Sequence, residues 1–394
     1  MSGIRATDPA VSPSQVASNR GALLHFEGDR AGAKRAYEEA LELDPENPTA
    51  LNNYGFLLAE EGRLDEAEAL YNRALARNPE SSTLRANLGN LRAMRGDVNG
   101  AIEHLEAAVS LDPRNALAWD SLGRLLLMWG RPDEAEGVWT AAIRAFSRGG
   151  EGEDGEGGEG GGAARAAGDE KWARPGDASE EVFPELSLFL VGLGTALAAQ
   201  GRREEALAAF RRAVVLDPSS AEAWTQLGIA LFVRRDLGSA EEVLRRALAL
   251  DPENSRARRH LGMVHLALGD RQAARRELEE AARAGGGDVR AAVDLAALDL
   301  SEGRPQAALE RLEPLTPPEA GRAPGELGER IRFYLGVALD QVGRADEAAA
   351  LLQPLADQVF GKYAAEARSY LARREGWGRE RNGASIGRGD SPGA

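Results

Sequence analysis

The sequence predicts an all-α fold: about nine stacked helical hairpins followed by a C-terminal capping helix. Three observations carry this. A skeleton seen in LNNYGFLLAEEGRLDEAEALYNRALARNP (51–79) recurs every 34 residues, in units starting at residues 14, 48, 82 and 116, then 187, 221, 255 and 289, with a last at 329. The eighth position of a unit is Gly (Gly21, Gly55, Gly89, Gly123, Gly194, Gly228, Gly262 and Gly336), with Ala296 the exception, and the twentieth is always Ala, from Ala33 to Ala348. Apolar residues such as Leu51, Tyr54 and Leu58, then Ala67, Leu70, Tyr71 and Ala74, fall three or four apart on either side of a turn, the spacing of one helix face.

Each part of the hairpin has a reason. Small residues at positions eight and twenty flank a Gly-containing turn (Gly28, Gly62, Gly96 and their counterparts) and let two antiparallel helices approach closely. The second helix stops at a Pro, as in Asp44-Pro45, Asn78-Pro79 and Asp112-Pro113, because Pro disfavours the α conformation of the residue before it. A hairpin of this size leaves an apolar face that only the next unit covers, so the units come in series.

These residues resemble the tetratricopeptide repeat (TPR) family over roughly 14–146 and 187–360. The match is carried by Trp119, Leu122, Gly123, Leu126, Ala135, Trp139 and Ala142, and again by Trp224, Leu227, Gly228, Leu231, Ala240, Leu244, Ala247 and Pro252. The resemblance implies a right-handed α-α superhelix, a TPR solenoid, whose first helices line the concave side. Arg20 stands where the family pattern has Leu, and unit 8 lacks the Gly and is followed by TPPEAGRAPGELG. Pro314 and Pro354, near the ends of the second helices of units 8 and 9, predict kinks.

The expected organisation is a disordered N-terminus (1–13), repeats 1–4 (14–149), an acidic Gly-rich linker or loop (150–186), repeats 5–9 (187–360), a capping helix (361–375) and a disordered tail (376–394). The stretch EGEDGEGGEGGG (151–162) is too Gly-rich and too charged to order itself. On either side of it stand Val138, Ile143 and Phe146, then Leu188, Phe189, Leu190 and Val191, apolar residues that should cover each other. This favours one stack with an extruded loop over two hinged lobes. KYAAEARSYLARRE (362–375) places Ala364, Ala367 and Leu371 on one face and charges on the other, as a cap requires.

Of the formal charge of −15, residues 150–186 carry −8, while 14–149 and 187–374 carry −6 and −1. No basic stripe is present, which argues against nucleic acid. The chain has no cysteine, no secretory-like apolar run at its start and no window of ~18 apolar residues, and reads as cytoplasmic without an integral membrane segment. Its oligomeric state is not encoded in any recognisable pattern.

No catalytic or metal-ligating constellation emerges, so the chain reads as a non-enzyme with no cofactor. Gly389-Asp390-Ser391-Pro392-Gly393 fits G-x-S-x-G but lies in the tail, without the strand-turn-helix elbow that motif needs. Gly155, Gly157 and Gly160 fit G-x-G-x-x-G inside the acidic linker, where a phosphate is repelled. His25, His104, His260 and His265 lack the three- or four-residue spacing that would set two on one helix face for a metal.

What remains is a surface. The sixth position reads Asn19, Asn53 and Asn87, then Ser121, and is similar to the asparagine ladder in the repeat arm of O-linked N-acetylglucosamine transferases. That resemblance implies amides holding an extended peptide by its backbone, as a group that both donates and accepts can do. Gly192, Gln226, His260, Asp294 and Tyr334 break the ladder in the second block. The family's inward positions also include Phe56, Asn90, Arg124, Leu127, Met128, Ile229, Phe232, Val233, Met263 and Leu266, which implies an apolar patch beyond the amides. The family's basic clamp for a C-terminal carboxylate is not matched, since Ser18 and Ala22, Asn52 and Phe56, or Ala86 and Asn90 stand in its place. The expected function is a protein-interaction scaffold binding a peptide or partner protein in its groove. Two alternatives are the recognition arm of a glycosyltransferase whose catalytic chain is separate, and an assembly factor at the cell envelope.

Overall fold

The computed structural model describes residues 12–147, 184–283, 288–315, 325–359 and 361–385. Among these residues every regular element is helical. Two compact units, Met1–Gln226 and Leu227–Ala394, divide within α11. In the first, successive hairpins are α1 (Pro13–Phe26) with α2 (Arg30–Leu43), α3 (Pro48–Glu60) with α4 (Leu64–Arg77), α5 (Ser82–Met94) with α6 (Val98–Leu111), α7 (Ala116–Met128) with α8 (Pro132–Ser147), and α9 (Pro184–Ala199) with α10 (Arg203–Leu216). Then follow α11 (Ala221–Val233), α12 (Leu237–Leu250), α13 (Ser255–Leu268) with α14 (Arg271–Arg283), α15 (Val289–Ser301) with α16 (Pro305–Leu312), α17 (Glu326–Gln341) with α18 (Ala345–Ala356), and α19 (Lys362–Ser385). Within each unit, the second helix of one hairpin packs on the first of the next.

The recurring spacing of Gly and Ala has a direct steric cause. A Cβ built on Gly21, Gly55, Gly89 or Gly123 would lie 2.5, 2.8, 2.7 or 2.4 Å from the side chain of Tyr37, Tyr71, Leu105 or Trp139. These partners all sit four residues after the Ala of the twentieth position, one turn further along the second helix. In the second unit Gly228, Gly262 and Gly336 meet Leu244, Leu278 and Leu352 at 2.6 to 2.9 Å. Hence Gly123→Leu should overpack its hairpin and cost about 1 to 3 kcal/mol. A chemical-denaturation midpoint would register the loss, and an unchanged midpoint would defeat the steric account.

A polar staple joins hairpin 1 to hairpin 2 and, again, hairpin 3 to hairpin 4. Ser14 Oγ donates to the Ala40 carbonyl at 2.8 Å and accepts from Asn47 Nδ2 at 2.7 Å, while Asn47 Oδ1 caps the amides of Thr49 and Ala50. Ser82, Ala108 and Asn115 repeat the arrangement, also at 2.8 and 2.7 Å. The helix-end carbonyl and the next helix start are thus satisfied by one buried Ser–Asn pair.

The apolar faces at the ends of α8 and α9 lie together, although residues 148–183 between them fall outside the described residues. The Phe146 and Phe189 rings meet edge to face with centroids 5.0 Å apart. Glu136 accepts hydrogen bonds from Gln200 Nε2 at 2.9 Å and Arg202 Nη1 at 2.7 Å. The expected loop, most of the acidic segment and the N-terminal residues 1–11 are among those not described.

Several boundaries and local forms differ from expectation. Helix α1 begins at Pro13 with Ser12 as its cap, because Pro is well suited to the first helical turn. Helix α9 begins at Pro184 for the same reason, inside the segment expected to run to 186. Helix α19 continues past 375 to Ser385, in a stretch that contains no Pro to stop it. Pro314 ends its helix early, leaving α16 as an eight-residue helix followed by a 3-10 turn, Glu313–Leu315, whereas Pro354 is accommodated inside the last turn of α18. At the turn between α11 and α12, Arg235 takes a φ of 70°, the left-handed conformation that glycine adopts in the other hairpins, at a cost of about 1 kcal/mol.

Unit 8 departs most from the pattern, and a cluster of ion pairs stands alongside its apolar core of Val293, Leu295 and Leu309. Asp299, whose side chain is 1% exposed, accepts from Arg311 Nε at 2.9 Å and pairs with Arg275 at 2.8 Å and Arg304 at 3.4 Å. Helices α14, α15 and α16 are thereby joined through one buried carboxylate.

Candidate functional site

In the first unit, the sixth and ninth positions of the first helices place the expected amides on one side of α1, α3 and α5. Asn19 is exposed, and its Oδ1 accepts from Gln15 Nε2 at 2.8 Å. Asn53, Asn87 and Asn90 are half-buried. Two of the ladder residues are bridged by a third amide: Asn87 Nδ2 donates to Asn52 Oδ1 at 2.8 Å, and Asn52 Nδ2 donates to Asn53 Oδ1 at 3.1 Å. Among the described residues the Asn53 amide NH2 and the Asn87 carbonyl make no hydrogen bond. A donor and an acceptor therefore stand ready on successive hairpins, held in orientation by Asn52, and such a pair matches the two polar groups of a peptide backbone.

The first helices also carry exposed apolar side chains. Phe56 is 46% exposed and its ring packs on His25 at 5.9 Å, while His25 Nε2 meets Glu60 Oε2 at 2.9 Å. Met128 is 69% exposed, and Leu127 is half-buried against the core of its own hairpin. Arg124 is exposed and its Nε donates to Asp120 Oδ2 at 2.6 Å, where burial raises the carboxyl above its ordinary range despite the arginine. Phe26, 91% exposed, and Met94 share the thirteenth position with Met128 and were recoverable from the 34-residue period. Asn52 was legible only as a neighbour of the ladder, since its role depends on reaching across to α5.

The ladder's failure at Gly192 also has a cause. A Cβ there would lie 2.2 Å from the Trp139 ring, so the indole is held between Gly123 of α7 and Gly192 of α9. No amide fits at that position.

In the second unit, Ile229, Phe232 and Met263 are half-buried, as is Leu266, while Val233 is exposed. Phe232 packs edge-on against His260 with centroids 6.4 Å apart. The expected open apolar patch is therefore only partly open: His260 of the next first helix covers one side of Phe232, and Leu266 packs against Leu278, Leu295 and Leu298. His260 Nε2 faces Arg259 Nη2 at 2.8 Å, and Asp294 accepts from Arg259 Nη1 at 3.0 Å and also from Arg330. Burial, and then the charges of Arg259, Arg256 and Arg290, hold the His260 pKa down to about 3, so the ring is neutral at physiological pH.

A cavity of about 360 Å³ at α17 and α19 is lined by Phe333, Ala365, Glu366, Ser369 and Arg373. Among the described residues no cluster of His, Asp or Glu could hold a metal, and no helix is long and apolar enough to cross a membrane.

Three family models, each described as Tetratricopeptide repeat, match residues 26–91 and 234–291, residues 87–149 and 191–255, and residues 330–354. Together they cover well over half of the chain. These models describe the repeat itself, and none shows the likeness to glycosyltransferase arms expected of the N-terminal units. Among curated proteins no sequence matches significantly. Among solved structures, one similar to this chain belongs to the Cut9–Hcn1 hetero-tetramer of the APC/C, 17% identical with a TM-score of 0.52, covering 84% of this chain and 57% of that one. This chain thus spans little more than half the length of that relative. A tetratricopeptide repeat protein from Parabacteroides merdae is 14% identical with a TM-score of 0.50, covering 73% of this chain and 98% of the other. At such identities the likeness is one of fold. The matched repeats and the all-α hairpins they describe place the chain in the tetratricopeptide repeat family.

Proposed function

We propose that the chain is a non-enzymatic scaffold of the cytoplasm that binds a peptide segment or partner protein along the faces built by its first helices. The observation that carries this reading is the pair of unclaimed polar groups on the first unit, the Asn53 NH2 and the Asn87 carbonyl, fixed by Asn52, with exposed Phe56 three residues from Asn53 on the same helix and exposed Met128 on α7. Amides grip the backbone of a ligand irrespective of its sequence, and exposed apolar side chains add contact area, with Met adapting to more than one shape. Asn19, Asn90 and Arg124 flank this stretch, and Ile229, Phe232 and Met263 supply partly open apolar surface on the second unit.

Affinity capture with mass spectrometry would identify the partner, and an Asn53→Ala/Asn87→Ala variant would then locate its site. Loss of two backbone hydrogen bonds should weaken the identified partner's binding by about tenfold without moving the melting temperature. Full binding by that variant would put the site elsewhere on the molecule.

A further inference from the structure

Helix α19 packs on α17 and α18, and its two faces are unlike. Tyr363 and Ala367 join the buried cluster of Phe333, Val337, Leu352 and Leu355, with Tyr370 and Leu371 packed beside it. Glu366, Ser369 and Arg373 are spaced three and four apart and so share another face, where with Ala365 and Phe333 they line the cavity of about 360 Å³. That volume falls within the roughly 300 to 1,000 Å³ of ligand-binding clefts.

Phe333 belongs to a group of three rings, meeting Tyr334 edge to face at 5.3 Å and Tyr363 at 5.8 Å. Both tyrosines already carry a cation: the Arg330 guanidinium lies 5.7 Å from the Tyr334 centroid, and Lys362 Nζ lies 5.5 Å from that of Tyr363. Among the described residues Phe333 carries none. Glu366 is half-buried and close enough to both tyrosines to oppose their ionisation. Lys362, one turn before it, lies over the Tyr363 ring and makes no ion pair with it. Among the described residues neither Glu366 nor Arg373 has an ion-pair or hydrogen-bond partner. Neighbouring cations are committed, Arg330 to Asp294, Arg368 to the Ala356 and Gln358 carbonyls, and Arg374 to Asp340.

We propose that this cavity takes a lysine side chain of a partner protein, presented by an extended segment with an acidic residue two places away. The inference rests on the scaffold reading above but concerns different residues. The alkyl stem of the lysine covers Phe333, and its ammonium donates to the Glu366 carboxylate and the Ser369 hydroxyl, both of which accept. Arg373 receives the acidic side chain. Glu366 and Arg373 are seven residues apart, which sets them about 10.5 Å apart along the helix. Residues two apart in an extended chain share a side and lie about 6.6 Å apart, a difference that the long side chains close. A lone cation would satisfy Glu366 and leave Arg373 without a partner.

Fluorescence anisotropy on the full chain tests this, using a fluorescein-labelled, C-terminally amidated peptide containing Gly-Lys-Ser-Glu-Gly and three counterparts with Gln for Lys, for Glu or for both. The Lys/Glu peptide should bind most tightly, and each Gln should weaken binding about fivefold. Because a formal charge of −15 attracts any cation, the decisive comparison is between single neutralisations. Glu366→Gln should lose about fivefold in affinity for the Lys/Glu peptide and cease to distinguish Lys from Gln, whereas Glu242→Gln, exposed on α12, should stay within about twofold of the parent. Arg373→Gln should cease to distinguish Glu from Gln. Glu366→Gln and Arg373→Gln break no internal ion pair and should melt like the parent. No binding of the Lys/Glu peptide, equal binding of its Lys and Gln forms, equal losses in Glu366→Gln and Glu242→Gln, or a Glu preference kept by Arg373→Gln would each overturn the lysine-site inference. None of these results bears on the Asn53/Asn87 experiment, which decides the scaffold reading separately.

Discussion

Trp139→Ala is expected to be among the most damaging single changes in the first unit, costing about 3 to 5 kcal/mol. The indole is 1% exposed and lies between two glycines of different hairpins, so its removal opens a void bounded by α7, α8 and α9 at once. Circular dichroism during denaturation would measure the loss without relying on tryptophan emission. A sharper form of the test uses coupling. Gly192→Ser should be strongly destabilising alone, because its Cβ would fall 2.2 Å from the ring, yet nearly harmless when Trp139 is Leu. Additive effects of the two changes would mean that the ring does not dictate Gly192.

The second large effect is expected at Asp299. Asp299→Ala removes the buried carboxylate that Arg275, Arg304 and Arg311 share, leaving them Glu302 and Glu279 as partners, and should cost about 1.5 to 3 kcal/mol. Asp299→Leu restores the residue type found at this position in units 1, 2, 4, 5, 6 and 9 but should recover only part of the loss, since Arg275 and Arg304 keep Glu302 and Arg311 keeps Glu279 while their shared buried carboxylate is gone. Replacing Arg275 and Arg311 by Leu together with Asp299 should return most of the stability, as buried ion pairs exchanged for apolar groups often cost nothing. If Asp299→Ala melts like the parent, the carboxylate is not a structural joint.

These two sites show what could be read from the sequence and what could not. The Gly/Ala pairs were legible because nearly every unit repeats them, and each repetition reports the same close approach. Gly192 appeared only as a break in the asparagine ladder, since its partner Trp139 belongs to the preceding unit and only packing links the two. Asp294 likewise appeared only as a break in the ladder, and Asp299 was hidden by composition: a net charge near zero over residues 187–374 says nothing about which side of a helix carries which sign. Glu366, Ser369 and Arg373 were legible as a polar side of the capping helix, but not as the wall of a cavity, which needs Phe333 of α17. The candidate amides were identified by their spacing, but their orientation through Asn52 required the distance between α3 and α5. Phe232 is half-buried because His260 of the next first helix covers part of its ring, a three-dimensional fact that helical periodicity does not contain.

The junction of α8 with α9 bears on how the chain folds. Elsewhere in the array, contacts join segments close together in sequence, which favours rapid, sequential zippering from any nucleus. Glu136 and Gln200 instead meet across 64 positions. Closing that longer stretch adds an entropic penalty that grows only with the logarithm of its length, about 0.6 kcal/mol for each doubling. The junction is therefore the slow step expected within the first unit: α1 to α8 would form early, α9 and α10 would form on their own timescale, and their union would set the observed folding rate. Additional residues inserted between Ser147 and Pro184 should slow that rate slightly while leaving the final stability almost unaltered.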